Sequence, residues 1–284
     1  MNIYAQKNYY KILMGMLTTI GILLLALVIC FIPMLITSNQ KDPAPIAEES
    51  APETSDNDKQ PSGDEGNSVV LSQTADAGQA YQDKLIFVGD SLTAHLIHRG
   101  GLTGGKDTKQ VWRPESNTLN LDSKVTSAKI IYPETGELMT IAEAAAKAKP
   151  EIMIITLGTN YGVSYLTEND FKACYTKLIR DVQKASPETT VILQSIFPVT
   201  TTCTSKTLTN DKIDTCNEWV KEIAKDNGCP YLDTQSVLKD SNNALKPEYS
   251  SDATYQNDDG IHLTATAYSV ILQYIRTHAY TPVA

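Results

Sequence analysis

Cysteine is scarce in this chain, with five in 284 residues. That is too few for a disulfide scaffold to replace a hydrophobic core. No C-x-x-C pair and no Cys/His cluster at zinc spacing occurs, so the sequence signs of a bound structural metal are missing. An excess of basic residues is missing too. The formal net charge is −9 and the pI is near 5.0, the opposite of the basic stripe that a nucleic-acid binder carries. No internal repeat is visible. What the chain does have is 42% hydrophobic residues, enough for a real core, which excludes wholesale disorder. Once terminal segments are set aside, the length leaves one domain of ordinary size or two small ones.

The charge is unevenly spread. Residues 38–84 hold ten acids against three lysines, most of the net charge of −9. Before them, Ile12 to Ile36 runs without a charge. As a helix this run would measure roughly 37 Å, enough to cross about 30 Å of hydrocarbon with some tilt. A cleaved signal peptide has an apolar region of about 7–15 residues and a small-x-small site. This run is longer, and Leu35-Ile36-Thr37-Ser38 makes a poor cleavage site. Residues 12–36 are therefore expected to be an uncleaved transmembrane helix. Lys7 and Lys11 precede it, and only Lys41 follows closely. By the positive-inside rule, residues 1–11 lie in the cytoplasm and the rest outside, as a single-pass protein of the cell membrane. Residues 37–83, rich in Pro, Glu, Asp and Ser, bury too little to offset their ordering entropy and read as a disordered acidic linker. A chain of that length reaches roughly 35–40 Å.

From residue 84 to 284 the pattern changes to that of a folded domain. Leu85-Ile86-Phe87-Val88, Ile152 to Leu157 and Val191 to Ile196 are short apolar runs, as expected of strands buried on both faces. Gln110-Val111-Trp112 and Tyr231-Leu232-Asp233 read as shorter strands, and Lys129 to Thr140 as a hairpin insertion. Between them, Ile141 to Lys149, Glu168 to Ala185, and Lys212 to Asn227 carry helical spacing, and Thr264 can cap a last helix. Alternating strands and helices predict an α/β fold, a parallel sheet with helices on both faces. Ligands of such sheets bind beyond the carboxyl ends of the strands.

Three segments fall at that end. Gly89-Asp90-Ser91-Leu92 follows the first strand, Gly158-Thr159-Asn160 follows Leu157, and Asp259-Gly260-Ile261-His262 precedes the last helix. Taken singly, these are a helix cap, a turn and a structural histidine. Together they supply a hydroxyl nucleophile, a base to take its proton, a carboxylate to orient the base, and an amide donor for an oxyanion.

The three segments resemble the SGNH hydrolases, also called the GDSL family, over about residues 84–279. The first block is matched completely, the third with Tyr161 where an Asp is frequent, and the last as D-x-x-H. The resemblance implies a three-layer α/β/α sandwich with a five-stranded parallel sheet, flavodoxin-like, and serine ester chemistry with no metal and no cofactor. It implies Ser91 as nucleophile, His262 as base, Asp259 as its orienting acid and Asn160 as oxyanion donor, with Asp90 structural. The second block departs: after the second strand the chain reads Val111 to Leu119 with no Gly. The backbone N–H of Ser116 or of Asn117 is expected in place of the glycine's. His95, four residues after Ser91, is expected to point along the helix, away from the hydroxyl. Among the exterior cysteines, Cys203–Cys216 is the least excluded bridge.

The expectation is an extracytoplasmic serine esterase that cleaves short-chain esters, acetyl foremost, through an acyl-Ser91 intermediate. Its substrate would be acetylated cell-wall or extracellular carbohydrate, its membrane contact residues 12–36, and nucleic acid no partner. Two alternatives use the same domain: an O-acetyltransferase to envelope glycan with the same triad, and a catalytically silent glycan-binding module.

Overall fold

The computed structural model describes residues 68–250 and 259–282. The expected transmembrane helix and the expected linker up to residue 67 lie outside the described residues. Within them the strands are β1 (Leu85–Gly89), β2 (Val111–Trp112), β3 (Lys129–Ile131), β4 (Leu138–Thr140), β5 (Ile152–Thr156), β6 (Thr190–Gln194) and β7 (Tyr231–Leu232). Five of these form one sheet in the order β2-β1-β5-β6-β7, and every pairing in it is parallel. The remaining two, β3 and β4, pair antiparallel as the expected hairpin.

The four long helices are α1 (Ile141–Ala148), α2 (Glu168–Ala185), α3 (Asn210–Asp226) and α4 (Ala265–Thr277). Their starts are set by side-chain caps. Thr140 and Glu143 form a reciprocal capping box on α1, and Thr167 and Thr264 accept from the third backbone N–H of α2 and α4. All of β5 is buried, since helices cover both faces. One core layer joins Ala144, Phe171, Tyr175, Ile179, Val220 and Ile223 to the sheet. The other joins Leu92, Leu96, Tyr268, Ile271 and Ile275 to its opposite face. This is a three-layer α/β/α arrangement.

The chain leaves β1 toward β2 on one side, and β5 to β7 lie on the other, so the order reverses between β1 and β5. A parallel sheet opens a crevice at such a point, beyond the strand ends. Ser91 follows β1 and Asn160 follows β5, so both stand at that crevice.

One expected boundary is corrected. The linker does not extend to residue 83. Val69 accepts from the Tyr231 N–H at 2.7 Å, and the Leu71 N–H donates to Tyr231 O at 2.8 Å, so this segment pairs with the outer edge of β7. Asp76 then pairs with Arg276 at 3.0 Å, and Gly78–Gln82 forms a helical turn. The segment is polar by composition, but the open edge of β7 supplies its hydrogen bonds and covers an otherwise bare strand. The least excluded bridge, Cys203–Cys216, is not formed: Cys174, Cys203, Cys216 and Cys229 are all free thiols. Burial pushes the Cys216 and Cys229 thiols up to about 12.

Candidate active site

Ser91 opens a helical turn, Ser91–Ala94, immediately after β1, and Asp90 caps that turn by accepting from the Leu92 N–H at 3.0 Å. The glycine before them is required by space. A Cβ on Gly89 would stand 2.1 Å from the Thr93 hydroxyl and 2.4 Å from the Thr156 carbonyl oxygen. Only a bare backbone lets the chain turn this tightly between β1 and β5.

His262 comes to Ser91 from the far end of the sequence. Its Nε2 lies 3.3 Å from Ser91 Oγ, and its Nδ1 lies 2.6 Å from Asp259 Oδ2. A carboxylate only accepts, so Nδ1 carries the proton and Nε2 is left to accept from the Ser91 hydroxyl. The other Asp259 oxygen accepts from the backbone N–H groups of Ile261 at 2.9 Å and His262 at 3.0 Å. Burial would raise the Asp259 carboxyl, but these two N–H groups and the His262 ring outweigh it and hold the carboxyl below its ordinary value. The carboxylate is thus kept charged beside the ring it orients.

Two further bonds tie the serine turn to the histidine segment. The Tyr268 hydroxyl on α4 donates to the Leu92 carbonyl at 2.7 Å, and the Arg99 guanidinium donates to the Leu263 carbonyl. Between Asp259 and His262, Gly260 has φ +71°, and a Cβ there would meet Cys203 Cα at 2.8 Å. Its carbonyl accepts from the Thr200 N–H at 2.9 Å, which anchors the segment on the loop after β6.

Asn160 has its side-chain Nδ2 buried with no hydrogen-bond partner, a donor left open at the crevice. Asp90 is fully buried, and burial pushes its carboxyl up to about 6, partly offset by the Leu92 N–H, the Thr159 hydroxyl, His262 and the Asn160 N–H. Its Oδ1 is taken by the Leu92 N–H that it caps, which agrees with a structural role.

Of the two N–H groups expected in place of the second-block glycine's, the structure removes one, that of Asn117. The Asn117 N–H is already spent on the Pro114 carbonyl at 3.0 Å, in a turn that holds Asn117 at φ +59°. The loop after β2 instead meets Asn160 at Leu121, whose N–H donates to the Asn160 carbonyl at 3.4 Å. His95 packs against the other imidazole of the site. Its ring centroid lies 4.9 Å from that of His262. Positions four apart on a helix share a face, so the spacing from Ser91 already carried this signal. A cavity of about 900 Å³ lined by Val69, Thr190, Pro230 and Tyr280 opens at the opposite end of the strands, and none of these site residues lines it.

The GDSL-like Lipase/Acylhydrolase family model matches residues 87–270. The chain belongs to that family. It is a carboxylic ester hydrolase of the GDSL type. No curated protein matches it. Among solved structures, it is similar to an acylhydrolase from Bacteroides fragilis, with 19% identity over 72% of this chain and 88% of that one and a TM-score of 0.47. A GDSL-like lipase from Bacteroides thetaiotaomicron shares 18% identity over 68% and 86% of the two chains, with a TM-score of 0.46. An acetylxylan esterase from Geobacillus stearothermophilus shares 16% over 69% and 94%, with a TM-score of 0.41.

Proposed function

We propose that this GDSL hydrolase is an extracytoplasmic serine esterase that removes short acyl groups, acetyl foremost, from cell-envelope or extracellular carbohydrate. The observation that carries the chemistry is the continuous chain from Ser91 Oγ through the His262 ring to Asp259, at 3.3 and 2.6 Å. In this reading His262 Nε2 takes the hydroxyl proton as Ser91 Oγ attacks the ester carbonyl carbon. The Asp259 carboxylate stabilises the imidazolium and fixes its tautomer. The carbonyl oxygen gains negative charge, and the Asn160 amide and the Ser91 backbone N–H donate to it. His262 then returns its proton to the departing alkoxide as the C–O bond breaks, which leaves acyl-Ser91 and a free alcohol. Water deprotonated by the same ring attacks the acyl carbon, the bond to Ser91 Oγ breaks as His262 returns the proton to Oγ, and the acid departs.

Support for the location comes from the uncharged run at residues 12–36 with its lysines on the N-terminal side. It makes envelope polymers the esters within reach of the domain. Hydrolysis of ethyl acetate by the full chain, wild type beside Ser91→Ala, tests the chemistry. Turnover abolished in the variant with its fold intact is the expected result, and equal turnover in both sinks the nucleophile assignment. Protease added to intact cells tests the location: a domain resistant there and cleaved only after lysis would be cytoplasmic.

A further inference from the structure

We propose that Tyr161 and Tyr165 form a stacking platform for a sugar ring, so that the alcohol side of the ester is a pyranose. This deepens the esterase reading above and rests on it for the assignment to the alcohol side.

Tyr161 directly follows Asn160 and has φ +69° and ψ −51°. The Gly162 N–H donates to the Asn160 carbonyl at 2.8 Å, closing a three-residue γ-turn of the rare strained form. A bulky residue in that conformation costs on the order of 1–3 kcal/mol. Glycine or asparagine would make the turn with less strain. Burial does not compensate, because Tyr161 stays 44% exposed. Four residues on, Tyr165 is 66% exposed, and the two ring centroids lie 5.2 Å apart at 41°. Of the four large hydrophobic side chains exposed among the described residues, these two share one patch beside the crevice.

Past Tyr165 the surface falls into a cavity of about 360 Å³, with Leu166 and Trp219 on its apolar wall and Asp211, Lys212 and Thr215 on its rim. The rim belongs to the N-terminal half of α3, which follows β6 and so lies at the same end of the sheet as Asn160. A pyranose offers an apolar C–H face and a belt of hydroxyls. Tyrosine rings match the first, and the carboxylate, ammonium and hydroxyl match the second. A fatty acyl chain would leave that charged rim desolvated and unpaired. An acetyl group needs no platform, so the platform serves the alcohol.

The test is equilibrium binding of an O-acetylated N-acetylglucosamine oligomer to full-chain Ser91→Ala, which cannot turn it over. Addition of Tyr165→Ala should weaken binding about tenfold, and Tyr165→Phe should restore it, since the ring and not the hydroxyl stacks. Equal affinity in all three overturns the platform, as does failure of the oligomer to bind at all. Circular dichroism of each variant excludes unfolding as the cause. Turnover of ethyl acetate by wild type reads the esterase assignment separately, so either proposal can fail alone.

Discussion

His95 lies against His262 with ring centroids 4.9 Å apart and planes tilted by 33°. Burial chiefly, helped by the charges of His262, Arg99 and His98, pushes the His95 imidazole down to about 4. It is therefore neutral at any pH where an esterase of this kind would work, and adds no repulsion when His262 takes up the serine proton. His95→Phe, uncharged and similarly planar, is expected to keep most of the rate at pH 7. His95→Ala should lose roughly tenfold in kcat, because His262 gains room to leave Ser91. Equal rates in the two variants would show that the packed ring does not position His262.

His95, half-buried, and Asp90, fully buried, predict opposing effects of pH on stability. His95 binds its proton less tightly folded than unfolded, so it subtracts stability as pH falls from about 6.5 to about 4. Asp90, raised from 3.8 to about 6 by burial, binds its proton more tightly folded, so it adds stability as pH falls through the same window. In wild type the two partly cancel. Urea denaturation at pH 4, 5 and 6 should show His95→Phe gaining stability on acidification relative to wild type. Asp90→Asn, which still caps the Ser91 turn, should show the reverse. Parallel curves for all three proteins would contradict both burial assignments.

Tyr268 holds the serine turn to α4 through one hydroxyl, 2.7 Å from the Leu92 carbonyl. In Tyr268→Phe the buried carbonyl keeps no donor from that side, a loss of about 1–3 kcal/mol. Since the helix that follows His262 is then free to shift against Ser91, kcat should fall several-fold with KM little changed. Thermal unfolding and steady-state kinetics on ethyl acetate read the two effects, and a stability loss without a rate loss would show that the bond serves only the fold.

Much of this architecture was legible because it depends on local pattern. Glu168–Ala185 reads as a helix from its apolar spacing, and the structure gives it those limits. The β1, β5 and β6 runs read as strands because buried parallel strands are apolar on both faces. Residues 69–82 were not legible, since their order comes from Tyr231 and Arg276, some 160 and 200 positions away. The same holds at the candidate site. Gly89-Asp90-Ser91 and Asp259-Gly260-Ile261-His262 stand as compact motifs, each with its own hydrogen bonds. The use of the Asn117 N–H by Pro114 and the γ-turn at Tyr161 are conformations that residue types there do not demand.

Gly260 combines φ +71° with a backbone contact that leaves no space for a methyl group. Gly260→Ala must therefore move either its own segment or the Thr200–Cys203 loop. A cost of roughly 1–3 kcal/mol is expected, and Asp259 and His262 on either side would lose their alignment. Ester hydrolysis should drop by about 10²-fold or more, as misplacement by about 1 Å typically does. Full activity in this variant would mean that the loop after β6 yields without disturbing the Asp259–His262 pair.

Asn160 offers the sharpest separation of stability from rate. Its Nδ2 is buried and has no acceptor, and an unpaired buried donor costs on the order of 1–3 kcal/mol. Asn160→Ala removes that donor, so the folded state should be as stable as wild type or more so, by up to about 1 kcal/mol. The transition state loses one of its oxyanion donors, and kcat should fall about 10²–10³-fold with KM nearly unchanged. A variant both less stable and only slightly slower would assign the amide to the fold and leave the oxyanion to backbone groups. A variant that is stable and slow would mean that the fold tolerates an open donor at the crevice because the reaction supplies its acceptor.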